Sequence, residues 1–510
     1  MINNILRRPP WRTTALSIAV GLALSACAVG PDFHAPEAPK VADAGHPYTP
    51  APLPAMAASN PSPAYVPQHF VDGQDISATW WEAFQSPALN ALVQSALANS
   101  PTVTAAQAAL RQAEENYRAE YGSTVFPSVS GQLQGARQRY PVFQAEGIPA
   151  GYTANLFTAA LDVSYTLDVF GGNRRELESV RAAIDYQRYQ VEATWLSLTS
   201  SVVATAIEEA SLREQIKVTR DVVDSDLKTL KVINAQVQLG SLARGALLQQ
   251  QTLIAQQQAQ IPPLEKALAQ TRHQLAVLAG RLPGDAGLPT FDIDSLALPR
   301  ELPVSVPSAL VRQRPDIRAS EAQLHEASAQ IGVATAALYP QITLSGSVDR
   351  ESFKIGRLFD TGTTGWSLLG GLVQPIFNGG ALQAKKRAAV AAYDAAQAQY
   401  QSTVLNAFLN VANTLRAIDT DADAVTASAD AERLANEALG LVERQYQLGA
   451  VSYLASLDAQ RTYLSTRVAL VQARAARFTD TAALFQALGG GWWNTPAALA
   501  SAASAPAAAH

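Results

Sequence analysis

The chain has 510 residues, 48% of them hydrophobic, and a net charge of −5, a balance that argues against a nucleic-acid partner, and no basic run supports one. No apolar stretch reaches the ~18 residues that a spanning helix needs, so a membrane crossing would have to be made by strands. The single cysteine, Cys27, leaves no possibility of an internal disulfide.

At the N-terminus, Arg7, Arg8 and Arg12 form a positive region and Thr13 to Leu24 a short apolar one. Leu24-Ser25-Ala26-Cys27 closes the stretch, which predicts a signal peptide over residues 1–26. Leu-Ser-Ala-Cys resembles the bacterial lipobox, whose cysteine is diacylated and becomes the new N-terminus. An ordinary secretory peptide with a chance cysteine is the alternative. Several acyl chains anchor stably where one is marginal. Ala28, rather than Asp, after the cysteine favours the outer membrane. Residues 27–70 are rich in Pro and Ala, from Pro31 to Pro67, and read as an extended tether.

A first repeat is expected over 71–280. Helical patterning begins near Leu89, Ser100-Pro101 supplies a cap and a first-turn proline, and Pro127 ends the helix. A hairpin over 128–170 follows. In it Phe157, Ala159, Leu161, Val163, Tyr165, Leu167 and Val169 alternate with mostly polar residues, a stretch long enough to cross a bilayer as a tilted strand. A water-soluble half-buried hairpin would show the same pattern. Long helices are expected over 172–280. Asn173 to Leu239 holds no Pro and no Gly, enough for a rod of ~100 Å. Its Ala and Gln content suits close packing on neighbours along a narrow seam, although a solvent-exposed coiled coil fits as well. Gly240 breaks the rod, and a returning helix of about 40 residues should follow.

Residues 281–313, rich in Pro and Gly, read as an equatorial linker between the repeats, with room for short elements. A second repeat over 314–489 then restates the first: a helix, a hairpin over 341–377 carrying Ile342, Leu344, Gly346 and Val348, and long helices over 379–489 broken at Gly449. Gln238-Leu239-Gly240 matches Gln447-Leu448-Gly449, Phe126-Pro127 matches Tyr339-Pro340, and Phe170-Gly171-Gly172 matches Phe377-Asn378-Gly379. A unit of roughly 200 residues is too long for a solenoid repeat and reads as a duplicated domain. Residues 490–510 form a Gly-, Ala- and Ser-rich tail. Four strands per chain cannot close a barrel, and an open sheet edge is not tolerated in lipid. Three copies would give twelve strands, within the bacterial range, with the rods packing side by side as a tube.

Several stretches resemble the TolC family of outer-membrane efflux proteins: Cys27-Ala28-Val29-Gly30-Pro31-Asp32-Phe33, Trp80-Trp81-Glu82-Ala83-Phe84, Arg314-Pro315-Asp316-Ile317-Arg318-Ala319-Ser320-Glu321-Ala322, Ala329-Gln330-Ile331-Gly332-Val333-Ala334, and Pro375-Ile376-Phe377-Asn378-Gly379-Gly380. The lipobox places the chain nearest the lipoprotein branch that serves resistance–nodulation–division pumps. The resemblance implies a mainly α fold with a membrane β-barrel: a trimeric 12-stranded outer-membrane barrel continued by a 12-helix periplasmic α-barrel, with two structural repeats per chain. It implies passive conduction of small molecules as the outer-membrane component of a tripartite efflux system. The partners are a homotrimer, a periplasmic adaptor (membrane fusion) protein, an inner-membrane proton-driven transporter and outer-membrane lipid, without nucleic acid. No cofactor is implied beyond the diacylglycerol and N-acyl chain on Cys27. A duct for type I protein secretion is the alternative within the fold, and a lipid-anchored coiled-coil scaffold is one outside it.

The resemblance also assigns positions. Leu239, Gly240 and Ser241 with Leu448, Gly449, Ala450 and Ser452 match the helix turns that meet the adaptor. Asp458 matches a position that forms an acidic ring, where three carboxylates in a narrow pore repel one another and attract cations. Tyr446 matches a tyrosine that helps hold the gate closed. A surface ion pair of Asp458 with Arg461, spaced i,i+3, is the structural alternative. Val451, Ala455, Ala246 and Gln249 replace gate residues of other members, so closure here would lean on packing and Tyr446. Asp419-Thr420-Asp421-Ala422-Asp423 lacks the glycine and the final Glu of a calcium loop. The six His show no metal spacing, and no triad signature, P-loop or dinucleotide fingerprint appears. Nothing in the chain points to an enzyme.

Overall fold

The computed structural model describes residues 28–37, 48, 56–57, 67–140, 151–285, 287–305 and 307–494. The chain divides into two compact units, one drawn from Met1–Pro36, Ala109–Arg188 and Ala319–Tyr400, the other from Glu37–Ala108, Tyr189–Arg318 and Gln401–His510. Cys27 and the signal-peptide expectation lie outside the described residues. No helix among the described residues is long and apolar enough to cross a membrane.

The strands are β1 (Met56–Ala57), β2 (Gln68–Asp72), β3 (Ser128–Tyr140), β4 (Tyr152–Leu167), β5 (Glu301–Val304), β6 (Gln341–Ser352) and β7 (Thr364–Val373). The helices are α1 (Pro87–Asn99), α2 (Pro101–Val125), α3 (Gly172–Gln238), α4 (Arg244–Gln258), α5 (Ile261–Leu278), α6 (Pro307–Gln313), α7 (Pro315–Ala336), α8 (Ala381–Gln447) and α9 (Tyr453–Ala487).

The first unit is built on one antiparallel sheet in the order β3-β4-β6-β7, so the two hairpins join through β4 and β6. The register sets Gly131, Leu161, Val348 and Trp366 in one row, and Val129, Val163, Gly346 and Leu368 in the next. Cross-strand neighbours share a face. One face therefore carries Val129, Leu133, Leu161, Val163, Leu344, Val348, Trp366, Leu368 and Leu372, all exposed. The other carries serine, threonine and aspartate, with Ser347 Oγ and Ser367 Oγ 2.9 Å apart. A water-soluble sheet buries its apolar face against a core, and this one leaves it bare. On β7 the alternation is interrupted at Leu369, which lands on the polar face opposite Ser345.

The second unit holds the apolar core. Trp80, Trp81, Phe84, Leu89, Phe478 and Phe485 bury together, with Trp80 stacked on Phe485 at 5.4 Å. Residues 281–313 join the repeats through short elements and also pack: Leu288, Phe291, Ile293, Leu296, Leu302, Val304 and Leu310 are buried in this core, and β5 pairs in parallel with β2. The Pro and Gly punctuation shapes turns, while the apolar residues between them supply the packing. The tether, expected to run to residue 70, ends before that. Gln68 is fully buried, donates to Pro299 O at 3.0 Å and accepts from Arg477 at 2.9 Å.

The long helices α3 and α8 each run 67 residues. The first return is broken where the sequence suggested one helix of about 40 residues. α4 stops at Gln258 and α5 opens with Ile261-Pro262-Pro263, because proline lacks the N–H that a helix interior needs. In the second half α9 is a single helix of 35 residues.

Candidate functional site

Two turns of the second unit share one backbone design. α3 ends on Leu239-Gly240, with Gly240 at φ 74°, and α8 ends on Leu448-Gly449, with Gly449 at φ 73°. Ser241 N donates to Gln236 O at 3.0 Å and Ala450 N to Gln445 O at 2.9 Å. These are the six-to-one bonds that close a helix through a left-handed residue, which glycine adopts without steric cost. Each turn then restarts a helix from an extended residue, Ala243 or Ser452. Leu239 is 84% exposed and Leu448 85%. Each turn thus offers water a leucine that its own unit does not cover.

Behind the turns lies a small core. Ile233, Leu253, Tyr453 and Leu457 are buried, with Val237, Leu242, Ala246, Leu247 and Tyr446 packed against them. Tyr446 donates its hydroxyl to Gln236 Oε1 at 3.3 Å, and its ring lies 5.5 Å from that of Tyr453. Tyr453 donates to Gln250 Oε1, and Gln250 Nε2 donates to Asp226 O at 3.3 Å. α3, α4, α8 and α9 are therefore tied at the turns by a short polar chain through an apolar cluster.

Asp226, on α3, is 1% exposed, and its Oδ2 has no hydrogen-bond partner. Burial pushes its carboxyl above the usual range, opposed by the amides of Gln257 and Gln250 beside it and reinforced by Glu443. Burial also raises the Tyr446 and Tyr453 hydroxyls.

The residues singled out in the sequence separate into two groups. Tyr446 belongs to the buried cluster. Asp458 is exposed and makes no ion pair with Arg461 in this chain; its backbone carbonyl accepts from Thr462 Oγ1 at 2.9 Å. Ala246, in place of a polar gate residue, is part of the apolar packing. Sequence reasoning passed over Asp226, Gln250, Gln257 and Tyr453. The signal for Gln250 with Gln257 on α4, and for Tyr453 with Gln460 on α9, is a seven-residue spacing within one helix, the interval at which side chains return to one seam; Asp226 carries no such signal. Asp419 to Asp423 lie within α8, Asp419 pairs with Arg416 at 2.7 Å, and no group placed to hold a metal occurs among the described residues.

The family described as "Outer membrane efflux protein" matches residues 92–281 and 306–490. The pyoverdine export outer membrane protein OpmQ of Pseudomonas aeruginosa is 34% identical over 454 residues, covering 87% of this chain and 94% of that protein. The antibiotic efflux pump outer membrane protein ArpC of Pseudomonas putida is 31% identical over 486 residues, covering 94% and 96%. The solved outer-membrane channel OprN superposes with a TM-score of 0.81 at 26% identity, over 91% of this chain and all of that one.

Proposed function

Because the chain belongs to the outer membrane efflux protein family, we propose that it is the outer-membrane channel of a tripartite efflux system and conducts small toxic molecules passively to the exterior. The observation that carries the reading is the sheet β3-β4-β6-β7, whose apolar face is exposed and whose other face is polar. That is the sidedness of a strand wall between lipid and an aqueous lumen. Among the described residues each of the edge strands β3 and β7 has one partner, and unpaired edges are costly in lipid. A homotrimer would pair edge with edge and close twelve strands.

The remaining roles follow from the same reading. The exposed Leu239 and Leu448 suit an apolar contact with a periplasmic adaptor, which links the channel to an inner-membrane transporter. Asp458, one per chain, would form the acidic ring, while Tyr446 holds the turn region closed by its bond to Gln236. Cys27 would carry diacylglycerol and an N-acyl chain, with no other cofactor and no chemistry of the chain's own. Efflux is preferred to type I protein secretion because relatives aligned over most of their length are named for pyoverdine export and antibiotic efflux.

Light scattering of the detergent-extracted protein, corrected for detergent, tests the assembly. A trimer that also conducts ions in planar bilayers is expected. A monomer that extracts without detergent would sink the channel reading and restore the periplasmic scaffold.

A further inference from the structure

Three stretches far apart in the sequence meet in the first unit. Val29 N donates to Phe170 O at 3.1 Å. Arg175, on the first turn of α3 and 5% exposed, donates to Val29 O at 3.4 Å, Gly30 O at 3.5 Å, Asp32 Oδ1 at 2.6 Å and Glu178 Oε2 at 2.7 Å. Phe33 stacks on His325 of α7, with ring centroids 4.3 Å apart and planes 12° from parallel. His325 Nε2 lies 2.8 Å from Glu178 Oε1.

Glycines make the room. A Cβ on Gly30, which has φ 101°, would stand 2.5 Å from Gly332 Cα. One on Gly332 would stand 2.6 Å from Arg175 Cγ, and one on Gly171 2.8 Å from Ala28 Cα. Real Cβ contacts are not that short, so each of these positions is cleared for the segment 28–33. That segment has no secondary structure of its own, and Arg175 satisfies two of its carbonyls.

We propose that the motifs around Gly30, Gly171 and Gly332 form one socket, with Arg175 as its positioning residue, and that the socket seats the start of the mature chain so that a lipid on Cys27 enters the membrane at the end of the sheet. The proposal rests on the lipid-anchor reading of Cys27. Ala28 lies against Gly171, just past the end of β4. A free tether of about forty residues would let its end wander ~35 Å from its attachment. The socket converts that loose leash into a fixed point, and the anchor then acts at a high effective concentration beside the strands.

The test uses the full-length chain in four forms: wild type, Arg175→Ala, Cys27→Ser behind a cleavable secretory signal, and the double variant. Asp32→Ala, on the exposed strap itself, serves as a variant that leaves the interior of the fold untouched. Mass spectrometry of the N-terminal peptide reads acylation, hydrogen exchange over residues 28–33 reads seating, and the yield of trimer in membranes reads the consequence. Arg175→Ala should speed exchange by about tenfold or more. It should lower trimer yield about fivefold in the acylated chain and less than about twofold in the Cys27→Ser background, because coupled contacts are not additive. Equal losses in both backgrounds would overturn the delivery role. Unchanged exchange in both Arg175→Ala and Asp32→Ala would overturn the socket. An unacylated Cys27 in wild type would overturn the lipid reading and the delivery role together, while exchange would still report the seat.

Discussion

Trp80 and Trp366 are the same side chain under two different solvents. Trp80, in the second unit, is 2% exposed and stacks on Phe485, whereas Trp366, on the sheet of the first unit, is 77% exposed. Leu89 and Leu368 repeat the contrast, fully buried and 80% exposed. Burying apolar area from water stabilises by roughly 25 cal/mol per Å², so the second unit gains what the first leaves unclaimed. A run of exposed large apolar side chains confined to one face of one sheet is what a bilayer covers. The second unit obeys the rules of a water-soluble core, and the sheet of the first obeys them turned inside out.

Charge is the sharpest way to break this contrast. In the second unit Glu209 is fully buried, and its Oε1 accepts from Arg213 at 2.7 Å and Arg272 at 2.5 Å. Replacing both arginines by alanine strands a buried carboxylate and should cost ~3–5 kcal/mol, read as a lower midpoint of helix loss in urea. On the sheet, Leu161→Arg places a charge on the lipid face and should cost ~2–4 kcal/mol in vesicles if it lies near mid-bilayer. Ser345→Arg, on the polar face of β6, should be nearly silent in the same assay. Equal costs for the two arginines would show that the sheet does not divide lipid from water.

pH separates the units next. Glu192 shares a pocket of the second unit with Trp80, Trp81 and Trp195 and with no basic side chain, and burial pushes its carboxyl up to about 7. The folded chain then holds this proton to higher pH than the unfolded chain does. Stability contributed by the neutral form is full below about 4.5 and is lost as pH rises through about 7. Discounted for solvent reaching the pocket, the loss is ~2 kcal/mol. Glu192→Gln should flatten the dependence of the unfolding midpoint between these values. A slope unchanged by the substitution would place the titration elsewhere.

The parts of this contrast that were legible in sequence are those with a period. Near-strict alternation from Phe157 marked β4, a long run without proline or glycine marked α3, and one without proline marked α8. Motif spacing located the turns at Gly240 and Gly449. Aperiodic packing was not legible. Leu288, Phe291 and Ile293 sit among prolines and glycines and look like a linker until the core of the second unit is seen around them. The Pro262-Pro263 break was missed because the match between repeats hid a local difference. Asp226, on the long α3, and Gln250, on the short Gln-rich α4, were missed because a buried polar residue on a helix rich in polar side chains looks like a surface one. The Arg175 socket joins residues 28–33, 170–175, 325 and 332, a convergence that spacing along the chain does not encode.

The smallest effects lie at the turns, where the two repeats can be compared directly. Gly449→Ala meets no atom within 4 Å, so its cost is the left-handed φ of 73° alone, ~1 kcal/mol. Gly240→Ala should cost the same, and unequal values would mean that one turn is held by more than its own backbone. Tyr446→Phe removes one bond of 3.3 Å to Gln236 and leaves the ring against Tyr453. A neutral hydrogen bond of that length is worth ~0.5–1 kcal/mol, too little to unfold the cluster but enough to shift a closed–open balance severalfold. Asp458→Ala, at an exposed side chain, should leave folding unchanged and act only on ions near the entrance. The two together should raise leak through the closed channel in planar bilayers by more than either alone. Conductance equal to wild type would remove both residues from the gate and leave closure to the packing of Ile233, Leu253 and Leu457.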